Sequence, residues 1–198
     1  MYKKTSYGRL NRHLFELRPT SITILTTFRC SAMCTECSLR CSPYDESPLL
    51  KSKQIKSYIG PILKDFSSIR IVVFTGGEPF LLGDELVKSI KYVKENGLLS
   101  RIVSNGYWAK SGEITRERLG ELRAAGLHEI NFSTGDEHSQ FVPIDNIVNA
   151  CIESAKLNML ALVNIESHLS SRVNSETIMS HHKLRDFLSK KTRKDEIH

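Results

Sequence analysis

The chain of 198 residues contains no apolar run approaching the roughly 20 residues needed to cross a bilayer. Its first residues, Met1-Tyr2-Lys3-Lys4-Thr5-Ser6, are basic, yet no apolar stretch of the signal-peptide type follows them. Membrane insertion and export are therefore not expected, and the sequence reads as cytoplasmic. Internal repeats, low-complexity segments and linkers are also missing, so one domain is the expectation for this length. Cysteine is sparse. There are five, an odd number, and four of them fall between positions 30 and 41. That count and clustering do not fit a disulfide framework.

What is present looks like an ordinary globular protein, with 40% hydrophobic and 25% charged residues. The net charge of +6 comes mostly from the two ends. Lys3, Lys4, Arg9, Arg12 and Arg18 lie at one end. Lys183, Arg185, Lys190, Lys191, Arg193 and Lys194 lie at the other. Basic ends can meet nucleic acid or an acidic peptide. Asp195 and Glu196 interrupt the second group, and we read the charge as solvated helical ends rather than a nucleic-acid surface.

The pattern along the chain alternates. Ile22-Thr23-Ile24-Leu25-Thr26 is a β-branched run that predicts a strand. Ile55, Ile59, Ile62 and Phe66 recur at helical spacing, with Gly60-Pro61 expected to kink or split that helix. Ile69 to Phe74 is nearly all apolar, as for a strand buried on both faces. Leu86, Ile90 and Val93 mark a helix that Gly97 is placed to cap. Arg101 to Ser104 predicts a third strand, ended by Asn105-Gly106. Leu119 and Leu122 lie on a helix stopping at Gly126, and Glu129 to Phe132 predicts a fourth strand. Pro143 opens a helix carrying Ile147, Val148, Cys151, Ile152 and Ala155, and Leu160 to Ile165 predicts a fifth strand. One last amphipathic helix is expected over 174–190.

Such alternation means α/β structure with a parallel sheet. The choice is an open doubly wound sheet or a partial (β/α) barrel, since a full eight-unit barrel takes about 250 residues. In both architectures ligands bind at the C-terminal ends of the strands. The chemically suggestive residues all follow strands: the cysteines the first, Gly76-Gly77-Glu78-Pro79 the second, Asn105-Gly106 the third, and Ser133 to His138 the fourth.

Cys30, Cys34 and Cys37 have the spacing C-x3-C-x2-C. A short loop of this kind can wrap three thiolates around one compact ion or cluster. Structural zinc wants four ligands, usually in two separated pairs, and no second pair is present. Thiolates are the usual ligands of iron–sulfur clusters, and three of them on a cubane leave one iron open. From the loop alone a zinc site and inert loop thiols remain alternatives. Cys41 is set aside as an ordinary loop cysteine, and Cys151 as a small buried hydrophobe.

The loop resembles the cluster motif of the radical S-adenosylmethionine (SAM) superfamily. Thr75-Gly76-Gly77-Glu78-Pro79, directly after the second strand, resembles the GGE motif of the same superfamily. The resemblance covers roughly residues 20–166 and carries implications. The fold is a partial (β/α) barrel of five to six βα units. Cys30, Cys34 and Cys37 hold a [4Fe–4S] cluster whose free iron chelates SAM. Gly76, Gly77, Glu78 and Pro79 meet the methionyl amino group. Ser133 and Asp136 are placed to bind the SAM ribose or carboxylate, and Asn105 to approach SAM. His138, Asn164 and Glu166 stand at the same mouth. One residue departs from the pattern, since the position before the third cysteine is usually aromatic and here is Glu36.

The implied reaction is reductive cleavage of SAM to a 5′-deoxyadenosyl radical that abstracts hydrogen. The implied electron donor is a flavodoxin or ferredoxin. No sixth strand is evident, so the lateral opening is expected to be wide, or closed by a partner subunit in a homo-oligomer, or the sequence to be a truncated form. No second cysteine cluster follows the core, so auxiliary-cluster domains are not expected. A short open core with basic ends suits a peptide or protein substrate. The competing readings are a catalytically degenerate radical SAM fold that binds a partner, and a zinc-binding interaction module. We divide the chain into a basic extension over 1–19, the barrel domain over 20–190 and a charged tail over 191–198.

Overall fold

The computed structural model describes residues 18–195. Lys3, Lys4, Arg9, Arg12, nearly all of the expected 1–19 extension and the last three residues of the tail lie outside the described residues. The elements run β1 (Ser21–Leu25), α1 (Ser52–Asp65), β2 (Ile71–Thr75), α2 (Asp84–Glu95), β3 (Leu99–Ser104), α3 (Gly112–Ala125), β4 (Glu129–Thr134), α4 (Ile144–Lys156), β5 (Leu160–Ile165), α5 (Ser175–Met179) and α6 (His182–Asp195). Short 3-10 turns at Pro79–Leu82 and His138–Gln140 follow β2 and β4.

The strands are all parallel and lie in the order β1-β2-β3-β4-β5. One row of the register reads Thr23, Val73, Arg101, Glu129, Leu160 across the whole sheet. A doubly wound sheet needs a reversal of strand order. Sequential order with right-handed crossovers puts every helix on the same face, which is the arrangement of a partial barrel.

Burial follows that geometry. Ile22, Ile24, Val72, Phe74, Ile102, Ile130 and Phe132 face the helices and pack with Ile55, Ile59, Leu86, Ile90, Leu119, Leu122 and Ile147 in one core. The alternate residues line the concave face, where Leu25, Leu99, Leu160 and Leu162 are exposed. The expectation that β2 is buried on both faces is thus corrected. Val72 and Phe74 are buried, whereas Ile71, Val73 and Thr75 are half-buried on the open inner side.

Two further expectations change. Pro61 does not split α1, which continues through it. A proline at this place deprives the Ser57 carbonyl of its helical partner, but Ser57 and Pro61 are both exposed, so water can take the bond. The expected 174–190 helix is two helices. Asn174 caps α5 by accepting from Thr177 N, α5 ends at Ser180, and α6 starts again at His182. Ile178 and Leu184 still pack together, against Val148 of α4.

The helix ends follow their local sequence. The Ser111 side chain accepts from Ile114 N at the start of α3, and Gly126 ends it in the left-handed conformation. Gly97 takes the same role just after α2, with φ of 70°. These stops return the chain to the sheet within a few residues, so each C-terminal strand end meets its neighbours at one mouth.

Candidate functional site

The loop after β1 is closed on itself. Arg29 bridges Ser42, and Cys30 N donates to the Ser42 carbonyl at 3.1 Å. Within it Cys37 N donates to Cys34 O and Arg40 N to Cys37 O, so the chain coils tightly around the last two motif cysteines. All five cysteines are free thiols.

The segment after β2 grips the entrance of this loop. Gly77 N donates to Thr27 O at 2.7 Å, and Glu78 N to Arg29 O at 2.8 Å. A Cβ on Gly77 would stand 1.8 Å from the Arg29 carbonyl oxygen, and one on Gly76 2.6 Å from that of Thr27. The two glycines are needed because backbone passes over backbone one residue before Cys30.

The segment after β3 is fixed from below. Glu78 is fully buried, and its carboxylate accepts from Asn105 N (2.9 Å), Phe80 N (3.1 Å) and Ser104 Oγ (2.9 Å). Burial pushes its carboxyl up to about 7, against the pull of those hydrogen bonds. The Asn105 side chain reaches the cysteine loop, with Nδ2 3.0 Å from Ser31 Oγ and 3.5 Å from Cys30 Sγ.

The loops after β4 and β5 are tied together and to the cysteines. Glu166 accepts from Glu137 N, from His138 N at 3.2 Å and from His138 Nδ1 at 2.8 Å. Glu137 in turn accepts from Thr35 N and Thr35 Oγ1. Glu36 pairs with His168 at 3.2 Å.

These loops enclose a cavity of about 290 Å³ at the C-terminal mouth of the sheet. Cys30, Cys34, Cys37, Gly76, Gly77, Asn105, Ser133, His138 and Glu166 all line it, as do Glu36 and Cys41. Its volume is near the lower bound of small-molecule sites, about 300 Å³.

No family model matches the chain. Over 164 residues it is 24% identical to the putative peptide biosynthesis protein YydG of Bacillus subtilis (strain 168), a match covering 81% of this chain and 48% of YydG. The chain thus spans about half the length of that relative. Among solved structures, methylornithine synthase (PylB) aligns with a TM-score of 0.56 at 16% identity, over 74% of this chain and 44% of PylB. The protein anSMEcpe with bound AdoMet and Cp18Cys peptide aligns with a TM-score of 0.55 at 18% identity, over 88% of this chain and 48% of that one. The two structures are radical SAM enzymes. The chain has the radical SAM fold.

Set against that fold, the expected SAM contacts divide. Gly76, Gly77, Asn105 and Ser133 reach the cavity. Glu78 and Pro79 do not line it. Glu78 spends its carboxylate on the chain beneath the mouth, and Pro79 starts the buried 3-10 turn. Asp136 also turns away. It accepts from Arg172 N at 3.0 Å and Val173 N at 2.8 Å, pinning the segment after β5. Its carboxyl is held below the usual range by these two backbone donors. Asn164 is exposed on β5 and does not line the cavity either.

The sequence reading overlooked Thr35, Glu137 and Ser31. No local pattern could have revealed the Thr35–Glu137 tie, which joins positions 102 residues apart. Cys41 was set aside, yet it is buried in the cavity wall, where its N–H donates to Cys37 Sγ at 3.4 Å.

The donor set fits an iron–sulfur cluster. Three thiols of one loop share a cavity with backbone and amide N–H groups aimed at sulfur: Ala32 N and Asn105 Nδ2 at Cys30, Cys41 N at Cys37. Burial raises the Cys30 thiol and pushes Cys34 up to about 11, Glu166 adding to the latter. Loading a metal must therefore displace protons.

Proposed function

We propose that this chain is the core of a radical SAM enzyme that modifies a peptide, with Cys30, Cys34 and Cys37 holding a [4Fe–4S] cluster and SAM bound in the same cavity. The observation that carries the reading is the meeting of three motif thiols with Gly76, Gly77, Asn105, Ser133 and His138 around one cavity at the mouth of the sheet. Bound there, a cluster supplies the electron that cleaves SAM to the hydrogen-abstracting 5′-deoxyadenosyl radical. The chain's own residues hold and orient. Gly76 and Gly77 let the strand behind the cysteine loop fix Cys30. The Ser133 hydroxyl is a donor and acceptor for a sugar hydroxyl. His138 lines the cavity and is clamped through Nδ1 by Glu166, which leaves Nε2 as the ring nitrogen for a ligand. An external donor such as a flavodoxin or ferredoxin delivers the electron.

A peptide as substrate is supported by the name of YydG and by the peptide bound to anSMEcpe. It is also supported by the exposed inner face, where Leu160 and Leu162 lie on β5, a strand that among the described residues pairs only with β4. An extended chain can enter from that side, whereas a small molecule leaves these leucines in water.

The second reading is a degenerate core that binds a partner without turnover. Glu36 favours it, because a carboxylate already paired with His168 occupies the place of the aromatic expected beside adenine. Anaerobic reconstitution with iron and sulfide, reduction by dithionite and assay for 5′-deoxyadenosine separates the two. Iron and sulfide near four per chain with 5′-deoxyadenosine formed is the expected result. A loaded cluster with SAM intact favours the degenerate core, and zinc without iron refutes both. Cys30→Ala, Cys34→Ala and Cys37→Ala are each expected to lose the cluster, and Cys151→Ala to keep it. The peptide reading is tested by incubating the reduced enzyme and SAM with a peptide encoded beside it. Its mass should change, and an unchanged mass with SAM unconsumed refutes that substrate.

A further inference from the structure

We propose that Asn105 is a positioning residue that sets the reduction potential of the site by hydrogen-bonding one ligand sulfur, Cys30 Sγ; this rests on the cluster reading above. The buried Glu78 carboxylate accepts from Asn105 N at 2.9 Å and from Ser104 Oγ, which fixes the backbone at the end of β3. Asn105 Oδ1 then accepts from Tyr107 N at 3.0 Å, closing a tight turn. With the oxygen committed to that turn, the amide orientation is decided, and Nδ2 is directed at the cysteine loop. It lies 3.0 Å from Ser31 Oγ and 3.5 Å from Cys30 Sγ.

The three sulfurs are consequently unlike. Cys30 Sγ meets Ala32 N and Asn105 Nδ2, both at 3.5 Å, with the Ser31 backbone N–H also favouring its thiolate. Cys37 Sγ meets one, Cys41 N at 3.4 Å. Among the described residues no N–H reaches Cys34 Sγ. Reduction adds one electron from an external low-potential donor and raises the negative charge shared by the sulfurs. Hydrogen bonds to sulfur favour that added charge and raise the potential. Backbone donors survive side-chain substitution, so Asn105 is the one donor of this set that mutation can remove cleanly.

The experiment is a potentiometric titration of the reconstituted full chain without SAM, followed by the electron paramagnetic resonance of the reduced cluster. Wild type is compared with Asn105→Leu and Asn105→Asp. Each signal is normalised to its own fully reduced value, so partial loading does not matter. At the potential that half-reduces wild type, the ratio of reduced to oxidised cluster should fall about tenfold in Asn105→Leu, which is 59 mV for one electron. Asn105→Asp keeps an oxygen for Tyr107 N but exchanges the donor for a charge, so its ratio should fall at least as far. A role confined to the turn would leave Asn105→Asp at the wild-type potential. If both variants titrate with wild type, the assignment of Asn105 is wrong. If wild type itself assembles no cluster, the fault lies in the cluster reading and not in Asn105.

Discussion

Replacing Gly77 by alanine tests the idea that this glycine serves the cysteine loop through its backbone. Its φ is not in the left-handed region, so the substitution carries no conformational penalty of that kind. The cost is steric, with the new Cβ placed 1.8 Å from the Arg29 carbonyl oxygen and 3.0 Å from the Phe28 carbonyl carbon. Neither is a flexible side-chain end, so the two backbones must part. Parting them breaks Gly77 N to Thr27 O and Glu78 N to Arg29 O. At about 0.5–1.5 kcal/mol per bond and about 1–3 kcal/mol for overpacking, the loss is about 2–6 kcal/mol, a large share of the ~5–15 kcal/mol that holds a domain. Guanidinium unfolding followed by circular dichroism reads that loss. Iron loading of the folded protein reads the second effect, displacement of Cys30. Gly120→Ala is the control, since a Cβ there meets nothing within 4 Å on helix α3. It should stabilise by up to about 1 kcal/mol. Equal midpoints and equal iron content for Gly77→Ala and wild type would refute the reasoning.

Three further outcomes follow from the same contacts. The folded Glu78 carboxyl is raised from 4.5 to about 7, so its contribution to stability is complete below pH about 4.5 and is lost as pH rises through 7, by about 3 kcal/mol. Glu78→Gln should gain on wild type by that order between pH 5 and 8, with Cys30 and Tyr107 as the ionisable neighbours that sense its charge, and parallel pH curves would refute the burial argument. Asp136→Ala frees Arg172 N and Val173 N, so hydrogen exchange at 172–173 should quicken; unchanged exchange there would return Asp136 to the ligand. Pro61→Ala restores a donor to the Ser57 carbonyl within α1 and should raise the unfolding free energy by about 1–3 kcal/mol, whereas a lowered one would mean that the ring itself packs.

The strand–helix alternation was legible because each unit carries its own signals. Leu160 to Ile165 is a strand from its β-branched and apolar content alone, and Gly97 and Gly126 announce two helix ends. The order of the strands and the open inner face were not legible in β2, whose apolar residues look alike. Ile71 and Val73 resemble Val72 and Phe74 in sequence, and only the one-sided placement of the helices separates them. The cysteine loop was legible from spacing. The burial of Cys41 was not legible, because four residues of separation hide a turn in which Arg40 takes a left-handed φ of 51° and returns Cys41 to Cys37.

The acids at the mouth share one feature that the sequence does not show. A sequence shows that a position can donate or accept, but not whether its bonds are already taken. Glu78 and Asp136 are acidic residues at the mouth of the sheet, and either could meet a ligand. Both carboxylates are filled by groups of the chain itself, Glu78 by Asn105, Phe80 and Ser104, and Asp136 by the backbone of 172–173. Glu166 is filled in the same way by Glu137 N, His138 N and His138 Nδ1. Each of these acids binds the loop of one strand to the loop of a neighbour. The groups left over are those that can act on something else: three thiols, the Asn105 amide shared with Ser31, the Ser133 hydroxyl and the Nε2 of His138. The acids hold the loops in register so that this smaller set faces one cavity. Neutralising an acid at the mouth should therefore loosen the site before it removes any contact with what the site binds.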